Sequence, residues 1–179
     1  MNSFGKISSW FLMVLATGIL LYACKTEPDS MDLPDAAQIQ EALLESNKHL
    51  LAMEEESIDD FIGRYGWKMR ETGSGLRYKI THTGTGEKPV YGNIVDIAYT
   101  IYLITGDPVY SSDSDGLRTF TVGRGGVERG LEEAILKLNE GSRATLIMPH
   151  HLAHGVPGDG KMIPKRATII YELELMNVY

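Results

Sequence analysis

Residues 120–148 read FTVGRGGVERGLEEAILKLNEGSRATLIM, and the succession of patterns in this stretch decides the fold. Phe120 and Val122 flank Thr121 in period-2 alternation, which predicts a short strand. Gly123, Gly125 and Gly126 then give a tight turn. Val127, Leu131, Ile135 and Leu138 recur at helical spacing, and Gly141 follows as a stop. Arg143 to Met148 returns to strand character. These glycines invite a nucleotide-loop reading, but their spacing fits neither the dinucleotide fingerprint nor the phosphate loop, and no alternating βαβ series follows.

The alternation extends outward on both sides. Leu76, Tyr78 and Ile80 alternate with Arg77 and Lys79. Val95, Ile97, Tyr99, Ile101 and Leu103 form one face of a long strand. Ile169, Tyr171, Leu173 and Leu175 form one face of the last strand. One helix among about five strands predicts an α+β domain over residues 73–179, an antiparallel sheet wrapped on a single helix.

Upstream, the period changes to 3.6. Asp35 with Gln38 forms a capping box, and Ile39, Leu43, Leu50 and Leu51 recur at helical spacing up to Met53. A second helix is expected to start at Ser57 and to run through Ile58, Phe61, Ile62 and Tyr65 to a stop at Gly66. Between them, Glu54-Glu55-Glu56 reads as a solvated face or a break. Residues 35–72 are therefore a helical segment that dimerises, packs on the main domain or acts as a stalk; the pattern does not choose among these.

The beginning of the chain carries Lys6 and then an almost wholly apolar run from Trp10 to Tyr22, closed by Leu21-Tyr22-Ala23-Cys24. This reads as a secretory signal over residues 1–23, too short for a permanent span of about 20 apolar residues. Leu-x-Ala-Cys resembles the bacterial lipobox, which implies cleavage before Cys24 and lipidation of that cysteine. Residues 24–34, rich in charge, Ser and Pro, follow as a tether. Lys25 directly after the cysteine favours the outer membrane, facing the periplasm.

Composition excludes several classes. The chain has 179 residues, formal charge −7, 43% hydrophobic content and 7 prolines, which fits neither a disordered nor a low-complexity protein. A single cysteine excludes a disulfide framework and a zinc site built on cysteine pairs. The acidic balance argues against nucleic acid as a partner. His150, His151 and His154 cluster after a strand, but no neighbouring carboxylate in the sequence completes a metal set apart from Asp159. They are read as loop histidines near a pocket mouth, and no metal is expected. Ser111 and Ser112 lack the glycine-rich elbow of a nucleophilic serine.

Residues 73–179 resemble the FKBP-type peptidyl-prolyl isomerases along nearly their whole length. The resemblance rests on Gly75-Leu76-Arg77-Tyr78, Gly84-Thr85-Gly86, Ile97 to Thr100, Tyr110-Ser111-Ser112, Phe120 to Gly123, Val127 to Ala134, Gly141 to Ala144, Pro149 to Gly155, Ile163-Pro164 and Ala167 to Leu175. It implies a pocket walled by Tyr99, Val109, Tyr110, Phe120, Val127, Leu131, Ile163 and Tyr171. In it the backbone N–H of Glu128 holds a substrate carbonyl, and His154 replaces a hydrogen-bonding tyrosine. Four positions depart from the family pattern. Tyr110 stands for the pocket aspartate with Val109 beside it for a phenylalanine, Leu131 stands for the tryptophan floor, Arg118 for a wall aromatic and His154 for the tyrosine.

The implied chemistry needs no cofactor. Rotation about a peptide bond costs about 18–20 kcal/mol because resonance must be lost. At X-Pro bonds both isomers are populated and their exchange limits folding. A twisted amide is less polar than a planar one, so an apolar, water-poor cleft favours it. The expected function is cis-trans isomerisation of proline-containing polypeptides exported to the cell envelope, from a lipid-anchored position, with self-association through the N-terminal helices left open. The alternative is a non-catalytic binding, chaperone or assembly module on the same fold; lipidated members of this layout resemble those associated with bacterial gliding motility.

Overall fold

The computed structural model describes residues 35–179. The predicted signal, Cys24 and its tether lie outside the described residues. The chain divides between Leu44 and Glu45 into two units. In the first, the described part is the opening of helix α1 (Ala36–Tyr65), where Ile39, Leu43 and Leu44 are exposed. Among the described residues no helix is long and apolar enough to cross a membrane.

Helix α1 is one element of 30 residues, where two were expected. Glutamate is a good helix former, so the acidic run does not end a helix by itself. Two of its carboxylates also find partners, one on the strand Arg77–His82 and one in the turn after the strand Arg143–Met148. Glu55 Oε2 lies 2.5 Å from Arg77 Nη2, and Glu54 Oε2 lies 2.6 Å from His150 Nδ1. Ser57 therefore sits inside the helix rather than at a cap. At the start, Asp35 N donates to Gln38 Oε1 at 3.1 Å, half of the expected capping box. At the end, Gly66 takes φ +62°. There Gly66 N donates to Gly63 O at 3.1 Å and Trp67 N to Ile62 O at 3.0 Å, closing a Schellman motif.

The second unit runs from Glu45 to Tyr179, so the later part of α1 belongs with the sheet. The strands are β1 (Arg70–Glu71), β2 (Arg77–His82), β3 (Ile94–Leu103), β4 (Pro108–Ser111), β5 (Arg118–Thr121), β6 (Arg143–Met148) and β7 (Ile169–Val178). All pairings are antiparallel, in the order β1-β2-β6-β7-β3-β4, with β5 also paired to β3. The five expected strands are present; β1 and β4 are short additions. Two further helices are α2 (Ser112–Asp115) and α3 (Arg129–Ile135). Helix α3 is shorter than the apolar repeat from Val127 to Leu138, because 3-10-type bonds from Lys137 N and Leu138 N tighten the chain after Ile135.

Where β6 and β7 carry Ile147 and Ile170, the sheet is covered on both faces. Leu131, Ala134 and Ile135 of α3 join the inner core with Leu146, Met148 and Tyr171. Gly130 permits this close approach, since a Cβ there would lie 2.8 Å from Met148 Sδ. The opposite face carries Ile147 and Ile170, the intervening residues of β6 and β7, and α1 covers them with Ile58 and Phe61. Trp67 packs edge-on against Phe61, with ring centroids 5.4 Å apart. Arg77, buried at 6% exposure, pairs with Glu55, Asp59 and Glu71 where helix and sheet edge meet. Of the three roles left open for the helical segment, the part from Glu54 onward packs on the domain.

The packing of α1 gives a direct prediction. Ile58→Ala should lower unfolding free energy by about 2–4 kcal/mol, because the buried site cannot collapse fully. Leu50→Ala, at a position 39% exposed, should change it by less than about 0.5 kcal/mol. Urea unfolding of the two variants checks the contrast.

Candidate functional site

The residues singled out by the sequence come together at one end of the inner face. Leu131, Ile163 and Tyr171 form the base, each at most 2% exposed, with Phe120 beside them at 8%. Tyr99, Val109, Tyr110 and Val127 are half-buried and pack against that base. Register places Tyr99 opposite Leu173 and Ile101 opposite Tyr171, so Tyr99 and Tyr171 are diagonal neighbours with ring centroids 6.0 Å apart. A register irregularity between Ile101 and Tyr102 re-aims β4 and brings Val109 and Tyr110 to the rim.

The base is not wholly apolar. Glu128, the residue before α3, has φ −60° and ψ 139°, and its side chain makes no capping hydrogen bond. It turns into the site instead, with the side chain only 3% exposed. Arg118 Nη1 donates to Glu128 Oε2 at 2.8 Å and Oε1 at 3.1 Å, and to Tyr171 Oη at 2.7 Å. Tyr171 Oη in turn donates to Glu128 Oε1 at 3.1 Å. Burial and the Glu128 carboxylate push the Tyr171 phenol far above its ordinary range, so it stays a neutral donor. Burial works against the charge on Arg118, but Tyr171 and Glu128 outweigh it and raise the guanidinium further. His154 Nε2 lies 3.1 Å from Glu128 Oε1, buried and out of line for a hydrogen bond.

At the rim, the Tyr110 hydroxyl donates to Asp159 Oδ2. Asp159 Oδ1 accepts from Lys161 N and Ile163 N, both at 2.8 Å, so one carboxylate shapes the turn that delivers Ile163 to the base. Partial burial opposes the Asp159 charge, but the bonds from Tyr110, Lys161 and Ile163 prevail and hold its carboxyl below the ordinary range. The same bond raises the Tyr110 phenol. A hollow of about 360 Å³, lined by Val109, Tyr110, Ser114, Asp115 and Met162, opens beside this rim. A second open hollow of about 450 Å³ lies over Lys79, Thr81, Ala98, Thr145 and Glu172; its charged lining offers no water-poor surface for an amide.

Among the described residues the backbone N–H of Glu128 has no acceptor, while its carbonyl accepts from Leu131 N and Glu132 N. That donor follows directly after the half-buried Val127. Ser112 Oγ accepts from Tyr99 N at 3.1 Å and Ser111 Oγ caps α2, so both serines are structural.

Two groups escaped the sequence reading. Only the backbone of Glu128 was expected to act; its side chain is the polar centre of the site. Part of the signal was present, because Arg118 stands for a wall aromatic and Glu128, ten residues on, carries the opposite charge. Asp159 was weighed only as a metal ligand, and it braces Tyr110 and Ile163 instead. The histidine cluster also separates. His154 faces Glu128, whereas His150 and His151 lie toward the side of α1, where Glu54 supplies the carboxylate that the local sequence lacks.

An antiparallel sheet packed on one short helix, with aromatic and aliphatic side chains gathered around Tyr171, is an architecture of the prolyl-isomerase kind. Residues 85–176 match the family model of the FKBP-type peptidyl-prolyl cis-trans isomerases, and the chain belongs to that family of enzymes. It is 35% identical over 106 residues to an FK506-binding protein of Neisseria meningitidis serogroup B, covering 59% of this chain and 97% of that one. It is 35% identical over 111 residues to a probable FKBP-type isomerase, FkpA, of the same organism, covering 62% of this chain but only 40% of that protein. The crystal structure of AtFKBP13 superposes with a TM-score of 0.60 at 27% identity, over 63% of this chain and 99% of that one.

The Asp159 contacts carry a pH dependence. A carboxyl held below its unfolded value contributes above the unfolded pKa of about 3.9 and is lost as pH falls through the folded value. The amide signals of Lys161 and Ile163 should therefore titrate with a midpoint below that of an ordinary aspartate, and Asp159→Asn should abolish the step. A pH series of amide spectra from 2 to about 6 measures it.

Proposed function

We propose that this chain catalyses cis-trans isomerisation of X-Pro bonds in exported or envelope proteins. The observation that carries the reading is the unpaired Glu128 N–H beside a half-buried wall of Tyr99, Val109, Tyr110 and Val127. A proline ring seated against this wall leaves its preceding carbonyl within reach of that N–H. The rest of the work is desolvation. As the amide twists it loses polarity, and a site that withholds water penalises the twisted form less than the planar one.

The Arg118–Glu128 pair does not contradict this. Its charges cancel locally and are bonded to each other and to Tyr171, so the base presents little net field to the substrate. His154 keeps Nε2 buried against Glu128, which leaves Nδ1 as the ring nitrogen for a second peptide carbonyl in this reading.

Envelope placement is supported by the sequence alone: Lys6, the apolar run after Trp10 and the Leu21–Cys24 motif point to a signal followed by a lipid-bearing cysteine. Several acyl chains, each contributing about 0.8 kcal/mol per buried methylene, hold such a protein firmly at a membrane. The exposed side chains Leu43, Leu44, Leu50, Leu51 and Met53 on α1 support self-association through that helix.

A second reading, a binding module that does not accelerate isomerisation, is favoured by one feature: the buried Arg118–Glu128 ion pair lies at the base of the apolar cluster. Rate measurements decide between them. With the full chain in detergent, cis-to-trans relaxation of a proline tetrapeptide series that varies the residue before proline should accelerate. Arg118→Met should cut kcat/KM by about tenfold or more, because Glu128 is then buried without its cation. The double variant Arg118→Met/Glu128→Leu should recover much of that loss. No acceleration with any peptide of the series supports the second reading.

A further inference from the structure

We propose that Glu54, His150 and His151 form a binding site for one zinc-class divalent cation, on the side of the domain where α1 packs and away from the peptide pocket. Each of the three offers a ligand atom, and these atoms lie within 4.8 Å of one another. The donors come from two segments far apart in the chain. Glu54 belongs to α1, and the histidines begin the loop that goes on to His154.

The carboxylate is already oriented as a metal ligand must be. Glu54 Oε1 accepts from His150 N at 2.7 Å and from Thr168 Oγ1 at 2.7 Å, and Oε2 faces His150 Nδ1 at 2.6 Å. Such outer bonds fix a ligand's direction before the metal arrives, which lowers the entropy cost of binding. Glu54 and His150 are nearly buried, with side chains 11% and 13% exposed. His151 is exposed, with Nε2 2.9 Å from Ser74 O. It is therefore the mobile member that can close the set.

Metal geometry asks for a small closure. Bonds of about 2.0–2.1 Å in a tetrahedral site put ligand atoms roughly 3.3 Å apart. Rotation of the His151 ring supplies that movement, and solvent occupies the remaining position. Two imidazoles with one carboxylate favour zinc, nickel or cobalt over calcium and magnesium, which prefer oxygen alone. Coordination through His150 Nδ1 replaces its hydrogen bond to Glu54 Oε2 and leaves the ring N–H on Nε2.

The site also has a mechanical consequence. The metal would tie α1 to the loop carrying His154, so its occupancy would be felt at the pocket mouth. This inference stands apart from the isomerase reading, because its test reads binding and not turnover.

The test uses the full chain in detergent without a histidine tag. Zinc is titrated in competition with a chromophoric chelator, and cobalt absorption serves as a second probe. The expected result is one zinc per chain at micromolar or tighter affinity, weakened about tenfold or more by Glu54→Gln and by His151→Ala. His49→Ala and His82→Ala should leave it unchanged. Because His151 is exposed, its variant should keep the metal-free melting curve, which separates a lost ligand from a lost fold. Absence of zinc binding at about 0.1 mM, or a smaller effect of His151→Ala, overturns the proposal.

Discussion

A carboxylate taken out of water must be given back a cation and donors, or it will not ionise there. Glu128 meets that requirement through Arg118 and Tyr171, and the pocket is arranged around the solution. The bond network ties the turn before α3 to β5 and β7, the three elements that carry Val127, Arg118 and Tyr171. Tyr171 in turn supports Tyr99 across the sheet. A tryptophan floor achieves rigidity by filling volume; here Leu131 fills less of it and the ion pair supplies the remaining order.

The same constraint acts on the other face of the sheet. Glu54 is nearly as buried, and its partners come from the histidine loop and from Thr168 next to β7. Beside it, Arg77 is a buried cation shared among three carboxylates. These polar contacts fix the register of α1 on the sheet, while Ile58 and Phe61 supply the apolar area that holds it there. The loop from His150 to His154 therefore joins two buried carboxylates, one on each side of the domain.

Much of this was legible in the sequence. Period-2 alternation marked the main strands, and the run through Val127, Leu131 and Ile135 marked the one helix of the core. The family resemblance named the pocket walls that the structure draws together around Tyr171. The long helix was misread because Glu54-Glu55-Glu56 looks solvated until its partners, at positions 77, 150 and 168, are folded beside it. A clue lay in β6 and β7: Leu146-Ile147-Met148 and Ile169-Ile170-Tyr171 are apolar on both faces, which a sheet covered on one side does not need. The side chain of Glu128 was missed for a related reason. Its charge is intelligible only with Arg118, 10 residues earlier on β5.

The central claim is that a proline peptide is held at the Glu128 amide and isomerises there. Amide NMR of the isotopically labelled protein, titrated with a Leu-Pro tetrapeptide, tests both halves at once. The account predicts that the Glu128 amide shifts most, with Tyr99 and Val127 beside it, and that exchange cross-peaks connect the cis and trans peptide at rates above the free peptide's. Shifts centred on another face of the sheet, or binding at Glu128 with no gain in exchange rate, would contradict it.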